Sequence, residues 1–411
     1  MSGKTVIIIG AGVIGLSAAI AALTRGFSVT VIDREGPAAG ASAGNAGAFA
    51  FTDIFPLASP GIVRKAPRWL LDPLGPLTLP PAYAVQMMPW LYKFWRASTP
   101  TRVAASTAAQ TAMMELSKAE LEDFLSVTGT LPMLRHDGNL EVYEGEREFR
   151  AAQPNWETRA RHAIDFRHLT ADEMTKLQPG LARRFTRGTF TPGWYSIADP
   201  KLYVLALAGH FRARGGKTEI AEVSGLRLEE SDVKVMAGRT FSANQVVVAA
   251  GAFSHRIARS IGEVIPLEPE RGYNTTLPSC AFDLRCQVTF GGHGFVVSRL
   301  STGIRVGGAV ELGGLSLSPN FKRAEAMLSK AALFLPGLKT GNGVQWMGLR
   351  PSLPDSLPAL GYAKATSRVI YAFGHGHLGL TQSAGTARVV ADLLTGHRPP
   401  IDLNPFSPQR F

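Results

Sequence analysis

The chain has 411 residues, 45% of them hydrophobic, enough for two intertwined domains that each bury a core. Its formal charge of +11 favours anionic partners, but the Lys and Arg residues are dispersed rather than gathered in dense runs, which argues against nucleic acid. Cys280 and Cys286 form neither a CxxC nor a zinc-type cluster, and two thiols in so long a chain suit a reducing compartment.

Thr5 to Ile9 is a β-branched run that suits a buried parallel strand. It leads into Gly10-Ala11-Gly12-Val13-Ile14-Gly15, then a helix from Val13 to Arg25, then a second strand from Ser28 to Ile32 closed by Asp33, with Val13, Ile14 and Arg34 expected beside the glycines and Asp33 as ligand contacts. Glycines punctuate the apolar run Val6–Leu23 and a β-rich segment follows at once, so it reads as folded strand and helix rather than a signal peptide. Nowhere does an apolar stretch reach transmembrane length without Pro or charge. In this βαβ unit Gly10 permits the tight turn, Gly12 lets a pyrophosphate approach the backbone, and Gly15 lets helix and strand pack closely. The first helical turn offers unpaired N–H groups to phosphate. Asp33, about twenty residues on, can bind ribose hydroxyls and would repel a 2′-phosphate, so a dinucleotide other than NADP is expected.

Ala41-Ser42-Ala43-Gly44-Asn45-Ala46-Gly47 follows, and then a stretch from Asp53 to Trp95 rich in Pro, Leu and aromatics, with Arg64, Lys65, Arg68, Lys93 and Arg96 interleaved. That stretch reads either as a proline-broken connection or as a membrane-interface segment, the connection being preferred. Ser106 to Val127 has the spacing of an amphipathic helix, Thr170 to Glu173 forms a capping box, and Asp199-Pro200 opens a helix ended by Gly215-Gly216. Strands near Lys217–Ile220 and Gln245–Ala250 return to the dinucleotide part, with Val223 beside the adenine and Ala249-Ala250-Gly251 turning near the cofactor. Residues from about Val264 to Val310 alternate like antiparallel strands, and within them Tyr273 either faces a substrate or is a core or surface tyrosine.

Late in the chain a strand from Arg368 to Phe373 runs into Gly374-His375-Gly376-His377-Leu378-Gly379 and a helix ended by Gly396. A second glycine-rich turn at a second helix start can stabilise an anionic reduced flavin, which an NAD enzyme has no need of. His375 and His377 either reach the site or hold this loop. The sequence contains no repeat, coiled coil, Ser/His/Asp triad or metal constellation.

Four stretches, Val6–Glu35, Ala41–Gly47, Trp346-Met347-Gly348-Leu349-Arg350-Pro351 continuing to Pro358, and Gly374–Gly379, carry a resemblance. The chain resembles the D-amino-acid dehydrogenase group of the FAD-dependent amine oxidoreductases, which include D-amino-acid, glycine and sarcosine oxidases. The resemblance implies an α/β fold: a glutathione-reductase-like FAD-binding Rossmann domain (1–130, 191–262 and 340–411) with a mixed α+β substrate domain (131–190 and 263–339). By the same resemblance Ser42, Asn45, Ala46 and Gly47 touch FAD, joined by Gly376, Leu378 and Gly379. Arg350 lies over the flavin and binds the substrate carboxylate, as its two-pronged guanidinium suits, unless it is a surface or inter-domain arginine. Some relatives attach FAD to a cysteine near Trp346–Asp355; none lies there, so FAD is expected to be non-covalent.

His377 stands where the D-alanine-type enzymes carry a smaller or hydroxylic residue, which leaves the substrate open among D-alanine-like and cyclic D-imino acids such as D-proline or hydroxy-D-proline. Rival readings are a glycine- or sarcosine-type oxidase, a flavin-binding electron-transfer subunit and an NAD-dependent dehydrogenase. The expected electron acceptor is a quinone or other respiratory carrier. The expected location is cytoplasmic, with peripheral attachment to the inner face of the membrane kept open.

Overall fold

A computed structural model describes residues 4–60 and 77–411. Its first sheet has six strands in the order 217–220, 28–33, 5–9, 245–248, 369–373 and 359–362. All its pairings are parallel except that of the edge strand Ala359–Tyr362. The strands are apolar on both sides because both faces are covered. Val6, Ile8, Val29, Val31 and Val247 pack into one core with the helices Val13–Thr24, Pro200–Ala213 and Ser383–Thr395. Ile7, Ile9, Ile32, Val246 and Val248 pack into another with a small antiparallel sheet of strands 225–228, 233–237 and 239–243. Thr5–Ile9 sits between parallel neighbours on both sides, so the turns after Ile9, Asp33, Val248 and Phe373 gather at one carboxyl edge, where α/β sheets bind ligands.

A second, mixed sheet has nine strands. Its main path runs 344–352, 268–277, 303–312, 295–300, 287–290, 139–143, 187–191 and 167–170. Period-2 alternation gives this sheet two unlike faces. Leu140, Val142, Val288, Phe290, Val297 and Val306 bury one face under the helix Lys322–Phe334. On the other face stand polar residues, including Asn139, which accepts a hydrogen bond from Thr289, and Asn274, which donates to the carbonyl of Gly44 at 2.9 Å. That polar face meets the dinucleotide part.

Several sequence expectations are adjusted. Val344–Ser352, grouped on sequence with residues 340–411, is a strand of the large sheet and pairs with Glu268–Leu277. The Asp53–Trp95 stretch is more than a broken connection, since Pro81–Ala97 forms a helix that tolerates Pro89; Arg64, Lys65, Arg68 and Trp69 lie outside the described residues. The helix expected from Ser106 starts at Pro100, whose fixed φ suits a first helical position. The capping box at Thr170 and the Asp199 cap form as the spacing predicts.

Candidate active site

The glycine turn is dictated by contacts with backbone atoms. Gly10 has φ +113°, and a Cβ there would lie 2.3 Å from the Ala249 carbonyl oxygen. A Cβ on Gly15 would lie 1.9 Å from the Gly10 carbonyl oxygen, so only glycine lets the helix start this close to the strand end. Asp33 ties the turn together: one carboxylate oxygen accepts from Ala11 N at 2.8 Å, the other from Glu35 N at 2.9 Å and Gly36 N at 2.8 Å. The oxygen that meets Ala11 keeps a spare lone pair available to a ribose. At the helix start, Ser42 Oγ accepts from Val13 N at 3.1 Å.

The next layer is the segment Ala41–Gly47, held from the polar face of the large sheet. Arg305 donates to the Asn45 carbonyl at 2.5 Å and through Nε to Thr276 at 2.9 Å, while Asn274 holds Gly44. Trp346 lies against Gly44 and folds over Gly348, at neither of which a Cβ would fit. Gly47, at φ +75°, turns the chain away with its N–H on the Asn45 side chain at 2.8 Å.

One cavity of about 850 Å³ joins these parts. Of the predicted cofactor residues, Gly10, Gly12, Val13, Ile14, Asp33, Arg34, Ser42, Asn45, Ala46, Val223, Ala250, Gly251, Gly376, Leu378 and Gly379 line it. Gly15 and Gly47 do not; they shape the backbone behind it. Arg34 stacks on Phe253, 4.0 Å from guanidinium carbon to ring centre, which makes a wall beside Val223. A helix start, a ribose-type carboxylate, a clamped small-residue segment and a glycine turn in one cavity fit an adenine dinucleotide with a flat second ring system.

At the far end stands Arg350. Gly272 and Gly348 are cross-strand partners, and the Arg350 guanidinium lies over Gly272, where a Cβ would come within 2.5 Å of it. The strand 303–312 bulges at this point, with Ala309 at φ +56°, and the Ala309 carbonyl accepts from Arg350 at 3.2 Å. That is the only hydrogen bond of the guanidinium among the described residues, which leaves most of its donor fork unused. Burial lowers its pKa from the ordinary value, with the carboxylate of Glu270, its cross-strand partner, working the other way. A half-buried cation that faces a cavity suits a carboxylate ligand.

His377 lines the same cavity one residue beyond Gly376, whose N–H bonds the Pro351 carbonyl at 2.8 Å, so the turn brings it close to Arg350. Its Nε2 meets Asp53 at 3.0 Å. Burial by itself pushes the Asp53 carboxyl up, but the hydrogen bond to His377 and the nearby Arg159 outweigh it and hold the pKa below the ordinary value. His375 is the loop-holding histidine: it is buried on Thr386 at 3.0 Å, and burial lowers its pKa to about 3.

Two expectations are corrected. Tyr273 passes the cavity on its strand, but its side chain is 1% exposed and its hydroxyl donates to Glu311 and accepts from Asn320 N at 3.1 Å. It belongs with Arg271 and Phe321 on the opposite face of the sheet, because alternation sends residue 273 away from Gly272 and Asn274. The second glycine turn is not itself a helix start, since the helix begins at Ser383, after turns running to Gln382. Asp53, Asn274 and Arg305 were not singled out from the sequence. A buried strand that alternates polar residues, as Glu268, Glu270, Asn274 and Thr276 do, was the available signal for the second of these.

Comparison with known proteins agrees with this geometry. The chain is 36% identical over 418 residues to a D-amino-acid oxidase of Bradyrhizobium diazoefficiens, covering 100% of this chain and 99% of the relative. It is 32% identical to a D-amino acid dehydrogenase of Chromohalobacter salexigens, covering 97% of each. Among solved structures, glycine oxidase from Geobacillus kaustophilus matches with a TM-score of 0.79 at 23% identity over 99% of each chain, a likeness of fold. The model of the FAD-dependent oxidoreductase family, DAO, matches residues 5–393, and the chain belongs to that family of FAD-dependent oxidoreductases.

Proposed function

We propose that the protein oxidises a small D-amino acid, D-alanine-like or a cyclic imino acid such as D-proline or hydroxy-D-proline, to an imine that water converts to the 2-oxo acid. The observation that carries this reading is Arg350, a half-buried guanidinium with unused donors in the cavity that also holds the dinucleotide turn. The names of the relatives support the D-amino-acid class. FAD, when bound, supplies the two-electron acceptor for the hydride leaving the substrate's Cα.

The chain's own residues bind and orient. Gly12, Val13 and Ser42 would hold the pyrophosphate and Asp33 the ribose, and Ala41–Ala46, backed by Arg305 and Asn274, would hold the flavin part. Neither Cys280 nor Cys286 lines the cavity, in keeping with non-covalent attachment. Arg350 pairs with the substrate carboxylate and so fixes which enantiomer presents its single Cα hydrogen for transfer, an orientation effect rather than acid–base chemistry. His377, steadied by Asp53, takes the proton that the substrate ammonium loses before oxidation. The electrons then pass to a quinone or other respiratory carrier. The test is anaerobic mixing of the flavoprotein with D-alanine, D-proline, cis-4-hydroxy-D-proline, their L-forms, glycine and sarcosine, following flavin absorbance. Bleaching by one D-compound and not its mirror image supports the reading. A yellow protein that only glycine or sarcosine bleaches, or that none does, overturns it.

A further inference from the structure

The helix Pro81–Ala97 is apolar on both sides, yet among the described residues only one side is covered. Met87 and Trp90 are buried, with Tyr83, Leu91 and Phe94 packed around them, against Leu312 of the large sheet. The opposite side presents Val85, Met88, Tyr92 and Trp95, which are 79%, 63%, 56% and 52% exposed. Their spacing of three, four and three residues makes one continuous stripe, outside the active-site cavity. A helix that is apolar all round is ordinarily buried all round, so among the described residues this stripe is an unpartnered surface.

The charge around it selects the partner. The helix contains no acidic residue, and its cations Lys93 and Arg96 sit beside the stripe, with Arg96 over the ring of Tyr92. From Pro81 to Met114 the chain carries Lys93, Arg96 and Arg102 and no acidic residue. A second copy of a chain carrying +11 would bring like charge against this face. Exposed aromatic and aliphatic side chains flanked by cations, on a convex single helix rather than in a groove, match the headgroup boundary of an anionic bilayer. Among the described residues no helix is long and apolar enough to cross a membrane, so the contact is with its surface. We propose that the face of Val85, Met88, Tyr92 and Trp95, with Lys93 and Arg96, seats the protein on an anionic lipid surface.

The test is sedimentation of the flavin-loaded protein with phosphatidylcholine vesicles, with and without phosphatidylglycerol. The expected result is binding to the phosphatidylglycerol vesicles that weakens with salt, and at least tenfold less binding to pure phosphatidylcholine. The variant V85S/M88S/Y92S/W95S should keep its flavin and turnover but bind the anionic vesicles at least tenfold more weakly. K93E/R96E, which leaves the apolar residues untouched, should do the same and carries the test if the fourfold variant does not fold. Wild-type protein that ignores phosphatidylglycerol vesicles, or variants that bind as wild type does, overturn the proposal. So does a wild-type dimer that the fourfold variant turns into a monomer, which would assign the stripe to a second copy.

Discussion

The two sheets meet at one cavity but are specified in different ways. In the parallel sheet the site is made of backbone: glycines whose missing Cβ atoms let Gly10, Gly15 and Ala249 touch, and a helix start aimed at phosphate. In the large mixed sheet it is made of side chains, Arg350, Asn274 and Arg305, brought together from three strands although each lies more than 30 residues from the next in sequence. A backbone site is written in a short motif; a side-chain site exists only once strand register is set.

Breaking the backbone site should have the largest effect. Gly15→Val drives a Cβ into the Gly10 carbonyl oxygen, where nothing flexible can give way. It should abolish bound flavin, read as loss of visible absorbance in the purified protein, and cost several kcal/mol of stability, the range for severe overpacking. Soluble, fully yellow Gly15→Val would show that the close approach is dispensable.

Disturbing the side-chain site should spare the fold. In Gly272→Ala the new Cβ meets the far end of a flexible arginine, so the anchor shifts instead of the backbone. A rise in substrate KM on the order of tenfold to a hundredfold with flavin content unchanged is expected, about 1.4 to 3 kcal/mol of lost orientation. An unchanged KM would mean that the position of Arg350 over Gly272 is not the one that binds.

A smaller effect concerns Glu268, which accepts from Tyr83 at 3.1 Å and from Gly314 N at 3.3 Å behind the anchor. Burial raises its carboxyl to about 7. Because the folded-state value lies above the unfolded one, its contribution is fully present below about pH 4.5 and is lost as pH rises through 7. Wild-type Tm should therefore fall across this window, and Glu268→Gln should flatten that part of the curve, by up to about 3 kcal/mol. Parallel pH curves for the two proteins would contradict it. The smallest effect is at the bulge: Ala309→Gly removes a side chain from a left-handed conformation and should raise thermal stability by up to about 1 kcal/mol, measured by thermal unfolding.

The order of legibility follows from the same contrast. The βαβ unit was readable because its apolar runs, glycines and acid recur at fixed spacing, and the strands Ser28–Asp33, Lys217–Ile220 and Gln245–Val248 lie where the pattern predicts. The Trp346–Pro351 motif singled out Arg350, which lines the cavity. Tyr273 was misleading since its neighbour Gly272 does line the cavity, and a one-residue step along a strand reverses the face. Asp53 carried no local signal at all, because its partner His377 lies 324 residues further along the chain.

The most direct test of this division of labour is Arg350→Ala in the flavin-loaded protein, mixed anaerobically with the best D-substrate. Full flavin content with bleaching slowed at least a thousandfold, the loss of a charge-paired anchor of about 4 kcal/mol, is the predicted result. Bleaching at the wild-type rate would contradict the assignment of substrate binding to the polar face of the large sheet.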